Sequence, residues 1–240
     1  MTKTGLANLI KQVINIYMSP SIRPKPVKPK RRAGRPTGER PDLRERLLDA
    51  AVTCFVRAGI AATSLRSIAR EAGVNPALLH YYFGDASQLR EAVVEERFMP
   101  AFAAVREPVL QAGALQGDVL PIIGAFVRGV SDTVARHPWL PALWVREVLC
   151  EGGALRTLVV ERLASQIPRV LAARFAQAQH EGQLNPDLDP RLLMVSLIGL
   201  TLFPAAGAPI WRQIFQSDDI DADALRDHTL ALLDRGIGVG

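Results

Sequence analysis

Three observations on the 240-residue sequence predict an all-α fold. Apolar residues recur at spacings of three and four, β-branched alternation is scarce, and glycine or proline punctuates the chain between the periodic segments. With 48% hydrophobic residues, a chain of this length can bury a sizeable core.

Taken in order, residues 1–17 carry an apolar set (Leu6, Leu9, Ile10, Val13, Ile14, Tyr17) interrupted by Asn8, Lys11, Gln12 and Asn15. This makes a poor signal peptide. The segment reads either as a short amphipathic helix or as an extension upstream of a start at Met18. Residues 19–42 hold six prolines among basic residues and almost nothing to bury, which predicts an extended, flexible arm over residues 1–42. From Ser19 to Arg46 ten Lys/Arg face three acidic residues, whereas from Leu47 onward 17 basic and 21 acidic residues remain. A mildly acidic body with a basic arm implies a polyanionic partner.

From Leu43 the helical period begins: Leu43, Leu47, Ala51, Phe55 and Ala58 share a face, with Cys54 beside it as a small buried hydrophobe, and Gly59 is a natural stop. Thr63 and Ser64 can cap a second helix over Leu65, Ile68, Ala69 and Ala72, which Gly73 ends. Asn75 can cap a third, with Pro76 at its first position. A longer helix followed by two short ones across a tight glycine turn outlines a helix-turn-helix. Further helices are expected near 86–111, 118–136, 139–150, 154–181, 189–204 and 221–236. Leu192–Trp211 has no charged residue and is about long enough to cross a bilayer, but Pro204 and Pro209, with Gly207 between them, are expected to end its strongly apolar part at Phe203. That predicts a buried core helix and no membrane partner.

No catalytic or metal-binding spacing emerges. His80, His137, His180 and His228 form no HExxH, and neither GxSxG nor a P-loop occurs. Cys54 and Cys150 make no CxxC, so no zinc site, no cofactor and no disulfide framework is expected, and the setting reads as reducing and cytoplasmic. Cys150, near Glu147 and Glu151, reads as structural or weakly redox-responsive, because carboxylates raise a thiol pKa. The chain is not expected to be an enzyme.

The stretch from Arg44 to Arg90, RERLLDAAVTCFVRAGIAATSLRSIAREAGVNPALLHYYFGDASQLR, resembles the DNA-binding domain of the TetR/AcrR family of transcriptional regulators. The likeness covers about a fifth of the chain, with the pieces LLDAA, TS-x-x-x-IA-x-x-A-GV and L-x-YYF in the family's order. It implies a DNA-binding domain at 43–90 and a helical effector-binding and dimerisation domain at 91–240. The resemblance also implies that Leu79 and Phe83 pack inward while Pro76, Ala77, Leu78, His80, Tyr81 and Tyr82 meet double-stranded DNA. Ser64 and Arg66 fall where the family holds the DNA backbone. Tyrosine hydroxyls and an imidazole suit phosphates, and a small apolar side chain suits a thymine methyl. Two residues depart from the pattern: Ala86 replaces a frequent phosphate-gripping lysine, and His80 replaces the commoner tyrosine. Arg35, in Gly34-Arg35-Pro36, resembles the core of a minor-groove hook; the alternative is a solvated tail.

For the remaining helices the resemblance implies a ligand cavity and a dimer interface. The expected pocket is largely apolar, with Phe102, Phe126, Trp139, Leu143, Trp144, Arg146, Arg174 and Phe175 as its walls. Glu147 is expected in an interhelix ion pair or among the pocket's polar groups. The helices near 189–204 and 221–236, with Leu225, His228, Leu232 and Leu233, are expected to form a two-fold four-helix bundle reading a palindromic operator. The predicted function is a ligand-responsive repressor released by a small apolar or aromatic effector. The rivals are a small-molecule or lipid binding protein with a degenerate DNA-binding domain, and a basic membrane-surface protein.

Overall fold

The computed structural model describes residues 43–112, 118–163 and 167–237. The predicted arm at 1–42, with Arg35, lies outside them. All described elements are helical. They are α1 (Leu43–Ala58), α2 (Leu65–Ala72), α3 (Pro76–Phe83), α4 (Ala86–Val93), α5 (Met99–Gln111), α6 (Val119–Arg136), α7 (Leu140–Trp144), α8 (Arg156–Leu158), α9 (Ile167–His180), α10 (Pro190–Phe215) and α11 (Ala222–Ile237). Wide π turns prolong three of them: Val94–Phe98 joins α4 to α5, Val145–Leu149 follows α7, and Val159–Leu163 follows α8.

Two apolar cores organise these helices. The first gathers Leu47, Leu48, Ala51 and Phe55 of α1, Ile68 and Ala69 of α2, Leu79 and Phe83 of α3, and Leu89 and Val93 of α4. Phe98, Ala101, Leu140, Leu143 and Leu155 belong to the same core, so it continues past residue 90. The second gathers Ile122, Phe126 and Val127 of α6, Leu171 and Phe175 of α9, Leu193, Met194 and Leu197 of α10, and Leu233 and Ile237 of α11. Helices α5 and α6 lie close because Gly129 brings its backbone against Val105, where an added Cβ would stand 3.4 Å from the Val105 carbonyl oxygen.

Helix α10 departs from expectation: it runs through Pro204 and Pro209 to Phe215. A proline inside a helix removes the N–H that would satisfy the carbonyl four residues earlier. For Pro204 that carbonyl belongs to Leu200; the Thr229 hydroxyl of α11, which donates to the Leu225 carbonyl at 2.9 Å, lies 3.4 Å from it. The Pro204 carbonyl in turn accepts from the Trp211 indole N–H at 2.8 Å. By length and composition α10 could cross a bilayer. It buries Leu193, Met194, Leu197, Thr201 and Leu202 within this chain, and leaves Leu192, Val195 and Phe203 exposed along one stripe. On α11 Leu232 is exposed, whereas Leu233 points into the second core, which corrects its expected place at a dimer interface.

Candidate nucleic-acid interface

The helix-turn-helix is set by its caps. Ser64 precedes α2 and closes a capping box with Ser67: the Ser67 N–H donates to the Ser64 hydroxyl at 3.2 Å, and the Ser64 N–H donates to the Ser67 hydroxyl at 3.1 Å. Gly73 ends α2 at φ 68°, a left-handed conformation that costs a glycine little, and its N–H returns to the last turn. Two residues later the Asn75 side chain accepts from the Ala77 N–H at 2.9 Å, and Pro76 begins α3. Both helices therefore start where the sequence predicts.

Helix α3 sorts its aromatics. Leu79 and Phe83 are buried in the first core, while Tyr81 is 81% exposed. Pro76, Ala77 and His80 are exposed, and Leu78 and Tyr82 are half-buried. Tyr82 has two roles, since its ring packs against the core and meets the Tyr81 ring edge-on at 5.2 Å. His80 also caps α3. Its Nδ1 lies 2.7 Å from the Gly84 carbonyl oxygen, which can only accept, so Nδ1 carries the proton and Nε2 stays available to a partner. Ser64 and Arg66 are exposed at the first turn of α2, where unpaired N–H groups and the helix dipole favour phosphate. Next to Ala86, where the lysine is missing, Asp85 caps α4 by accepting from the Ser87 and Gln88 N–H groups at 2.7 and 2.9 Å.

Ion pairs hold this unit from behind. Arg97 reaches back to Glu45 at 2.7 Å and Asp49 at 2.8 Å on α1. Arg44 lies over the Phe83 ring and pairs with Glu96, whose carboxyl is held below its usual range chiefly by that guanidinium, against the opposing effect of burial. Cys54 is buried, which pushes its thiol up and suits the small hydrophobe expected from the sequence.

The predicted effector-pocket residues divide between the two cores. Leu143 is buried in the first core, with Trp139 and Phe102 packed against it, whereas Phe126 and Phe175 lie in the second, with Trp144 against it. Phe102 and Trp144 meet across the divide with ring centres 6.0 Å apart. Arg174 is mostly covered and faces Glu181 at 3.6 Å, and the Arg146 side chain lies beside Gly59.

Glu147 is the residue whose role sequence reasoning missed. It is 4% exposed, and its carboxylate accepts from the Ile60 N–H at 2.9 Å and the Ala154 N–H at 3.0 Å, in place of the expected ion pair. Gly59, at φ 87°, and Gly153 make room for it: a Cβ on Gly153 would stand 2.3 Å from the Glu147 carbonyl oxygen. The carboxylate thus ties the α1–α2 turn to the helix carrying Trp144. The Gly152-Gly153 pair was the available sequence signal.

Comparison with known proteins agrees with this geometry. Residues 47–93 match the family model for bacterial regulatory proteins of the tetR family, and residues 122–234 match that for a tetracyclin repressor-like C-terminal domain. The chain is 32% identical over 167 residues to the HTH-type transcriptional regulator SrpR of Pseudomonas putida, covering 65% of this chain and 71% of that protein. It is 28% identical over 182 residues to the HTH-type transcriptional repressor SCO4008 of Streptomyces coelicolor, covering 76% of this chain and 88% of that one. Among solved structures, the ketosteroid transcriptional regulator KstR2 of Mycobacterium tuberculosis shares the fold with a TM-score of 0.66 at 20% identity, covering 85% of this chain and 98% of that one. With both of its parts matched in order, and a relative 32% identical of which it covers 71%, the chain belongs to the TetR family of bacterial transcriptional regulators.

Proposed function

We propose that this ligand-responsive, DNA-binding repressor works in the cytoplasm as a two-fold homodimer on a palindromic operator, and that a small apolar or aromatic effector releases it. The observation that carries the reading is the division of α3, which buries Leu79 and Phe83 and presents Pro76, Ala77, His80 and Tyr81. That face offers a ring hydroxyl, an imidazole nitrogen and a small methyl group, matching phosphates and a thymine edge. Leu78 and Tyr82 flank it, and Ser64 and Arg66 anchor the backbone beside it. The basic arm at 1–42, with Arg35, adds sequence-independent attraction.

The exposed stripe of α10, with Leu192, Val195 and Phe203, and the exposed Leu232 of α11 support the dimer. Pairing with a twin forms a four-helix bundle, and two α3 helices then read half-sites roughly 34 Å apart, one turn of DNA. The effector is assigned to the domain at 91–240, between the helices bearing Phe102, Phe126, Trp144, Arg174 and Phe175, with Trp139, Leu143 and Arg146 on the side facing the DNA-binding unit at 43–90. It prefers the conformer that does not fit DNA.

The test titrates tryptophan fluorescence with a panel of hydrophobic compounds and follows operator release in parallel. Linkage requires both responses to move at matching concentrations and to weaken together in Trp144→Ala. Release by charged, hydrophilic compounds alone, with Trp144→Ala behaving as wild type, refutes the effector assignment.

A further inference from the structure

A cavity lies apart from the side chains assigned to the effector. It has a volume of about 220 Å³ and sits between α1, the α4–α5 π turn and α8, walled by Phe55, Ile60, Val94, Phe98, Leu155 and Leu158. An apolar cavity of about 150 Å³ suffices for benzene, so this one takes a single ring with a substituent. Its rim is polar: Ser87, Arg90 and Glu91 stand on the first turns of α4, on the helix face that continues into Val94 and Phe98. Arg90 is exposed and makes no hydrogen bond or ion pair among the described residues. A guanidinium with free donors above a ring-sized apolar chamber matches one carboxylate on an aromatic ring.

The position of this cavity makes it consequential. Ile60 and Ala154 both line it, and they are the two residues whose N–H groups hold the Glu147 carboxylate. A ligand there presses on the joint between the α1–α2 turn and the helix of Trp144, without first entering the C-terminal helices. We propose that this cavity binds a small aromatic monocarboxylate and that its occupancy lowers operator affinity by displacing Ile60 from Glu147.

Benzoate is the probe. Calorimetric titration of the full chain is expected to give saturable binding with a Kd of about 1 mM, as befits so small a ligand. Arg90→Gln, at an exposed position, is expected to weaken it about tenfold by removing the charged donor. Leu158→Trp is expected to fill the chamber and abolish binding, and Trp144→Ala, which alters the other site, to leave it unchanged. Operator affinity of the wild type is expected to fall over the same benzoate range, and hydrogen exchange at Ile60 and Ala154 to rise. The proposal is overturned if binding is not saturable, if Arg90→Gln binds like the wild type, or if Trp144→Ala abolishes binding, which places benzoate in the effector site. It is overturned equally if benzoate binds and operator affinity stays constant.

Discussion

Helices α3 and α7 are both short, aromatic and proline-bearing, and they use their rings in opposite ways. In α3 the sequence PALLHYYF leaves Tyr81 and His80 outside, while in α7 the sequence LPALW buries Leu140 and Leu143 and keeps Trp144 against the second core. Aromatic density alone therefore does not mark a contact surface. What separates them is how many sides are covered: α3 packs on the first core through one stripe, and α7 is wedged between two cores and continues into the turn bearing a buried carboxylate. A helix covered on one side presents chemistry, and one covered on several transmits position.

The largest effect that would break this comparison is expected at Glu147. Glu147→Ala leaves the buried Ile60 N–H and the Ala154 N–H without their acceptor, and should lower stability by about 2–6 kcal/mol, since each orphaned group costs about 1–3 kcal/mol. Glu147→Gln keeps one acceptor oxygen and turns an amide donor toward the other N–H, so about half of the loss should return. Urea unfolding of both variants checks this. Equal stabilities for Ala and Gln would mean that the carboxylate fills space and does not hold the turn.

A smaller and more selective effect is expected in α3. Tyr81→Ala should weaken operator binding by about 1–3 kcal/mol, the range of a specific contact, while stability moves by less than about 0.5 kcal/mol because the ring is exposed. Tyr82→Ala should lose both affinity and stability, because its ring also packs on the core. Gel-shift titration beside thermal melts separates the two outcomes. If Tyr81→Ala melts early at full operator affinity, α3 is a packing helix like α7.

The same contrast explains which parts were legible in the sequence. Every determinant of the helix-turn-helix is local: the Ser64 and Asn75 caps, the left-handed Gly73, and a periodicity that sends Leu79 and Phe83 inward. The determinants farther along are not. Helix α10 runs on through Pro204, and the neighbour that comes within reach of its Leu200 carbonyl is Thr229, 29 residues away on α11, which no pattern within the helix announces. The Glu147 carboxylate binds backbone N–H groups, which carry no residue identity to be read, so an ion pair was the natural expectation. The expected pocket walls divide between two cores because α7 passes between them, and side-chain type alone cannot reveal on which side Leu143 or Phe126 falls.

The smallest expected effect lies behind α3 and sharpens the comparison through pH. Phe83, the ring that α3 turns inward, is covered by Arg44, and Glu96 holds Arg44 in place. The Glu96 carboxyl is depressed in the folded chain, principally by the Arg44 hydrogen bonds. A carboxylate with a depressed folded pKa contributes stability above its unfolded pKa of about 4.3, and that contribution disappears as pH falls through the folded value. Because about a third of each side chain remains exposed, solvent screening keeps the contribution below about 1 kcal/mol. Wild type should therefore exceed Glu96→Gln by a small constant margin from about pH 7 to about pH 5, and the margin should shrink as pH falls below the unfolded pKa of about 4.3. Parallel urea titrations across that range read the margin directly. A margin that persists undiminished at the acid end would mean that Glu96 acts through its packing, and that Phe83 is held by the core alone, as Leu143 is in α7.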